Sequence, residues 1–447
     1  MRPCRAARCA AIPKRTTTQL FLLLSLLASG ARAAESPPDL VTDRAAREVR
    51  ILAEATGIGA ADPLEFILVT PASSHSYESL AVSRTAPGAL HDALLAIGLV
   101  PGRSPNPRAM AFWPKGERTR VFVRALGTNT NALTLPLPVE QLLQDVHTKK
   151  PTREDGFLFV EAGSAPARDG STNRVYAPDA YAPHAIVSLY NEPTTVFDVP
   201  RIAAQSSVYG QQKLNPATLF TKGTLLEFTF RPERTNGPPR VRDGILTVHA
   251  NARYSLSGID PLPATPMTAK ALTAAVAELI KNGADPFVRI RFDSALRLDT
   301  LHDACKFLSD LENEDGIRVD SPEPDQLFYR AFIPDEENRR RADRVAQPCE
   351  LRFTATNATF RATLVHITEA WHDDQQEPEL TATEHPLGGP EDLRPVLDAL
   401  GQTLPVLLLF APPEITLADL TPYLTPARPT HAIVHVYLEL PSSTSPP

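Results

Sequence analysis

Cysteine is scarce in this chain. The 447 residues hold four, and Cys4 and Cys9 fall in a leader that reads as removed. No C-x-x-C pattern occurs, so neither a dithiol redox centre nor a cysteine zinc site has the spacing it needs. Cys305 and Cys349 remain, and in an oxidising compartment they are candidates for one disulfide, the other reading being two buried thiols. Further absences remove further chemistry. The nucleophile elbow G-x-S-x-G is missing, and with it the usual way of exposing a catalytic serine. H-E-x-x-H is missing too, Gly57-Ile58-Gly59 lacks the third glycine of a dinucleotide loop, and no Walker lysine motif is present.

Long apolar runs are also lacking. The one between Leu20 and Ala28 is half the roughly 20 residues needed to span a bilayer. It follows a segment with Arg2, Arg5, Arg8, Lys14 and Arg15 and no acid, and precedes the small-x-small pattern Ala31-Arg32-Ala33. That order reads as a secretory signal over residues 1–34, with no membrane span left after cleavage. Six of the 45 basic residues and none of the 52 acidic ones lie there, which leaves 39 against 52, a net charge of −13. Such a charge opposes binding to nucleic acid and to anionic membranes.

Proline, by contrast, is abundant. The chain holds 44, about twice the usual share of roughly 5%. They fall mainly between periodic segments and punctuate loops. About 410 mature residues exceed what one core usually serves, so the expectation is an α+β multidomain protein. A first mixed α/β domain spans 40–215. In it, Leu64–Val69 and Tyr77–Val82 predict a hairpin, Pro87–Gly98 a helix capped by Gly98, and Val139–Val146 a second helix. Two small α/β modules follow, at 220–335 and 348–441, with a repeated order of strands and helices, and a disordered tail closes the chain at 442–447.

Several side chains carry potential chemistry. "SHSYESLAVS" places His75, Tyr77, Glu78 and Ser79 within five residues. On an extended strand Glu78 and Ser79 point to opposite faces, which argues against a serine triad there. "SLYNEPTTVFDVPR" sets Asn191, Glu192 and Asp198 about an Asn-Glu-Pro turn, either a plain connection or a rim that faces a ligand. His366, Glu369 and His372 form an H-x-x-E-x-x-H string, but six-residue spacing keeps the two histidines apart on a strand and around a helix alike. No metal or cofactor is expected.

The first region resembles the YdjY-domain family of bacterial envelope proteins. The resemblance is carried by "PLEFILVTPASSHSYESLAVS", "APGALHDALLAIGLVPG", "LPLPVEQLLQDV" and "HAIVSLYNEPTTVFDVP". It covers roughly Val41 to Asn215, under half of the mature chain. Family members tend to carry a His-Glu pair where this chain has Tyr77-Glu78, so a role that rests on that histidine does not transfer directly. The later region more weakly resembles the periplasmic modules of ExbD and TolR proteins, through "DPFVRIRFDSALRLDTLHDACKFL" and "PVLLLFAPPEITLADLTPYL". The first resemblance implies an envelope location and a domain identity but no activity, and the expectation adopted is an exported, non-catalytic protein that binds another envelope protein or a cell-wall component. The alternative is a hydrolase of an envelope polymer with Glu78, His75 or Asp198 as acid-base groups.

Overall fold

The computed structural model describes residues 38–106, 111–126, 135–166, 173–234, 240–260, 265–320, 349–356, 359–370, 379–400, 406–427 and 433–438. The leader, the end of the first expected module beyond residue 320, His372 and the tail at 442–447 lie outside them. The chain is a mixed α/β protein with several sheets. Among the described residues no helix is long and apolar enough to cross a membrane.

The first sheet is built from β1 (Leu40–Asp43), β2 (Glu48–Ala55), β3 (Phe66–Val69), β4 (Ser79–Ser83), β5 (Glu117–Ala125), β6 (Leu137–Pro138), β7 (Phe157–Phe159), β8 (Ala185–Ser188), β9 (Phe197–Asp198) and β10 (Leu225–Pro232). Its strand order is β2-β10-β5-β7-β9-β8-β3-β4, and β4 pairs back onto β2 through Ala53 and Ser83. The pairings therefore close a ring, from which β1 hangs on β2 and β6 on β5. Alternation along the strands explains which residues turn inward. In β5, Val121, Val123 and Ala125 are buried while Arg120 and Arg124 face out. Arg124 pairs with Glu227 across the outer surface at 2.7 Å. Phe197 stacks on Phe230 inside, with ring centroids 4.9 Å apart. Helix α1 (Pro87–Ala96) starts on its proline and ends before Gly98, whose φ of +83° suits a residue without Cβ.

Three expectations need correction. β3 and β4 are parallel neighbours, Leu68 opposite Ala81, rather than a hairpin. Parallel pairing usually demands a longer crossover, but a four-residue strand is only about 13 Å long, a distance the Thr70–Glu78 connection covers. The helix expected at Val139–Val146 is one 3-10 turn, Val139–Leu142, followed by a strand at Leu143–Asp145. The first region also does not end near 215, since β10 lies in its closed sheet between β2 and β5.

Beyond β10 come β11 (Val241–Val248), β12 (Tyr254–Ser257), α2 (Ala269–Lys281), β13 (Asp285–Phe292), α3 (Leu298–Leu311) and β14 (Arg318–Val319). Their sheet runs β12-β11-β13-β14. Next are β15 (Cys349–Thr356), β16 (Thr359–Ala370), β17 (Glu379–Leu387), α4 (Leu393–Ala399), β18 (Val406–Ala411), α5 (Leu417–Ala427) and β19 (Ile433–Leu438). Their sheet runs β17-β16-β15-β18-β19, the same order with one strand added. The two sheets and their helices share a continuous core, which includes Leu301 and Leu308 of α3 and Leu417 and Leu420 of α5. Reciprocal backbone bonds join them. Leu298 N–H donates to Ile415 and Leu417 N–H to Leu296, while Asp299 N–H donates to Pro413 and Ala418 N–H to Ser294. Each bond has its counterpart at the same offset along the chain.

Cys305 and Cys349 are both buried thiols in that core with no disulfide between them, so the candidate disulfide is not formed. Burial pushes the Cys349 thiol up to about 11, which leaves neither a reactive nor a bridged sulfur.

The closed sheet and the unit that follows it meet at a charged junction. Asp285 opens β13 and is buried among three guanidiniums, Arg118 and Arg240 at 3.2 Å and Arg318 at 3.5 Å. Burial alone would raise its pKa, but the three cations together hold it below the usual carboxylate range.

Candidate functional site

The chemistry-bearing side chains converge at the lower end of β3. Glu65 stands just before that strand and is 0% exposed. Its backbone fixes it from both sides: its N–H donates to the Glu78 carbonyl at 2.9 Å, and its carbonyl accepts from Leu189 N–H at 3.0 Å. The Thr70–Glu78 connection then brings His75 and Glu78 back over it. A single 3-10 turn at Ser76–Glu78 ends this connection, so Tyr77 and Glu78 are not strand residues. Ser79 braces the turn, its hydroxyl donating inward to the His75 carbonyl at 2.7 Å. That use of the hydroxyl leaves Ser79 a structural role and no free nucleophile.

The result is a group of two carboxylates and an imidazole. His75 Nδ1 lies 3.4 Å from Glu78 Oε2 and 4.0 Å from Glu65 Oε2. Glu65 Oε2 is buried and makes no hydrogen bond. The other Glu65 oxygen is well served. It accepts from Gln205 Nε2 at 2.9 Å and from the Tyr209 hydroxyl. Those two residues are one helical turn apart on the Gln205–Gln211 helix, which sets both side chains on one face. The Tyr209 hydroxyl also lies 3.3 Å from Glu78 Oε1. Bonding to Glu65 raises the Tyr209 pKa well above the ordinary phenol value, so it keeps its proton and acts as a donor. Among the described residues, no lysine or arginine pairs with Glu65 or Glu78.

The rim is aromatic and open to solvent. Tyr77 and Tyr209 are 66% and 50% exposed, respectively, and Tyr77 stacks on the His75 ring. The charge of Glu78, with some burial and the charge of Glu65, raises the Tyr77 pKa. Phe66 and Tyr190 close the inner wall, with ring centroids 5.5 Å apart.

Asn191, Glu192 and Asp198 do something else. Asn191 Nδ2 donates to Asp198 Oδ1 and to the Arg201 carbonyl, at 2.9 and 3.0 Å, and its Oδ1 accepts from Ala203 N–H at 2.8 Å. The side chain thus ties down the segment that leads into the Gln205–Gln211 helix. Glu192 accepts from the Tyr190 hydroxyl and from Thr194. Asp198 is 0% exposed, and burial pushes its pKa up to about 7 against hydrogen bonds from Asn191, Ser104 and the Val199 amide. Of the seven residues singled out in the sequence, His75 and Glu78 meet in one group, Tyr77 rims it, Ser79 braces it, and the other three support the chain behind it.

Glu65, Gln205 and Tyr209 were not singled out. Glu65 sits in an otherwise apolar strand-length run, and one acid in such a run is a signal that could have marked it. Gln205 and Tyr209 are remote in sequence, and only the fold brings them to it.

A cleft of about 520 Å³ opens near the charged junction, lined by Arg47, Lys115, Arg118, Arg234 and Arg240 among others. Its cations are already engaged: Lys115 with Asp243, Arg240 with Glu233, Arg234 with the Gly283 carbonyl. Comparison with protein-family models, with curated proteins and with solved structures found no match.

Proposed function

We propose that this is an exported envelope protein that binds a partner without catalysing a reaction on it, and that the Glu65, His75 and Glu78 group is its ligand seat. The observation that carries this reading is the buried Glu65 carboxylate, held by Gln205 and Tyr209 on one oxygen while the other faces His75 with no hydrogen bond. Asp198 Oδ2 and Glu140 Oε2 are also buried without a hydrogen bond; the Glu65 oxygen differs in facing an imidazole and a second carboxylate. The leader pattern supports export, and the quoted motifs support a YdjY-like first domain. The shared strand order of the two later sheets, with their reciprocal seam, supports a duplicated α/β module behind it. Exposed edge strands in such modules suit pairing with an extended segment of a partner.

Hydrolysis of an envelope polymer is the second reading. Asp198, poised near neutrality, favours it on titration alone, but a fully buried carboxyl whose bonds are to its own chain touches no substrate. Crosslinking and pull-down of the mature protein from its own envelope tests the choice. A partner captured by the native chain and lost with Glu78→Gln is expected. Turnover of a cell-wall fragment that vanishes with Glu78→Gln, and no captured partner, would overturn it.

A further inference from the structure

We infer that the Glu65, His75 and Glu78 group binds a divalent transition-metal ion, with Zn²⁺ as the fitting case. The inference rests on the reading of this group as a ligand seat and names what sits in it. Each residue offers one donor atom, and the donor atoms all lie within 4.8 Å of one another. Zinc bonds to nitrogen and oxygen of about 2.0–2.1 Å put neighbouring ligands of a tetrahedron about 3.3 Å apart. His75 Nδ1 and Glu78 Oε2 already stand at 3.4 Å, and Glu65 Oε2 is 4.0 Å from the same nitrogen. The His75 side chain is about a third exposed, so it has room to close the small remaining gap and leaves a path for the ion.

Proton counting points the same way. The Tyr209 hydroxyl faces one oxygen of each carboxylate, yet it has a single proton to give. The other two oxygens face the same imidazole nitrogen, which likewise carries at most one proton. Gln205 adds an N–H to the first Glu65 oxygen and Tyr77 a bond to Glu78, but among the described residues no lysine or arginine offsets the two carboxylates, one of them fully buried. Burying a charge without compensation is costly, and Glu65 Oε2 is left with no hydrogen bond. A dication between the two Oε2 atoms and Nδ1 balances the charge and uses that oxygen. The imidazole selects zinc-like ions over calcium and magnesium, which prefer all-oxygen shells. Three protein ligands also leave a fourth position open, through which the ion can hold a carboxylate or other anionic group of the partner.

The test is a zinc titration of the untagged mature protein after treatment with chelator, by calorimetry with zinc chloride alone. One equivalent per chain is expected, with affinity at least tenfold weaker in His75→Ala and in Glu78→Gln. Glu65→Gln removes the deepest ligand and risks the fold, whereas His75 is partly exposed, so unchanged circular dichroism in His75→Ala keeps the comparison clean. Absence of saturable zinc binding overturns the inference. So does zinc binding that ignores both substitutions, or calcium binding as tight as zinc. The envelope pull-down reads the seat separately. Capture that depends on Glu78 without zinc uptake removes the metal and leaves the seat, and zinc uptake with capture indifferent to Glu78→Gln does the reverse.

Discussion

At the scale of single residues, the two buried acids Glu65 and Asp198 each keep one oxygen without a hydrogen bond, yet their surroundings differ. The Glu65 oxygen turns toward His75, whereas the bonds that Asp198 accepts come from Asn191 and the Val199 amide of its own segment. The pKa of Asp198 in the folded protein, about 7, exceeds the unfolded value of about 3.9. The folded state therefore binds the extra proton between those limits. Its stability is fully present below about pH 4 and declines as pH rises toward 7. Asp198→Asn keeps an acceptor for Asn191 and Val199 and removes the titration. Thermal melts should lose that slope, and at pH 8 the variant should be the more stable, by up to about 4 kcal/mol for a shift of this size. A native-like slope in the variant would show that Asp198 does not titrate there.

Among the elements, the Gln205–Gln211 helix matters most, because Gln205 and Tyr209 on it hold Glu65. Seven residues make a helix too short to be stable by itself, and Asn191 supplies the anchor just ahead of it. Removing that side chain breaks several part-buried bonds, each worth about 1 kcal/mol. Asn191→Ala should cost about 2–3 kcal/mol in urea unfolding, and amide exchange should speed up in the Gln205–Gln211 helix more than in β5. The sequence shows Asn191 as a turn residue or as part of a rim toward a ligand. Its helix-anchoring role depends on Asp198, Arg201 and Ala203 folding around it, which no local pattern records. The Ser79 side chain is a similar case, since strand alternation separates it from Glu78 but does not say that its hydroxyl is spent on the His75 carbonyl.

For the whole molecule, the junction at Asp285 couples the closed sheet to the unit behind it. Arg118 comes from β5, Arg240 from the approach to β11, and Arg318 from β14. Asp285→Asn would leave three crowded guanidiniums without their carboxylate, a loss of about 3–5 kcal/mol at pH 7. Because the three arginines depress the Asp285 pKa in the folded state, this contribution is present above the unfolded value of about 3.9 and is lost as pH falls through the folded one. Melts of the native protein and the variant should accordingly differ at pH 7 and converge in strong acid. A difference that persists in acid would place the effect in packing rather than charge.

The sequence by itself determined a mixed α/β chain and the helix that opens at Pro87. The period of α3, from Leu298 to Leu311, and the alternation of β5 are local consequences of which side chains avoid water. It also marked the segment that carries His75 and Glu78. Only the tertiary structure decided that β3 and β4 run parallel, that β4 closes the ring onto β2, and that Cys305 and Cys349 stay apart as thiols. It alone brought Glu65, Gln205 and Tyr209 to the same place. The physical reason is that periodicity reports which face of an element is buried and is silent about what it is buried against. A binding group is made of the second kind of information.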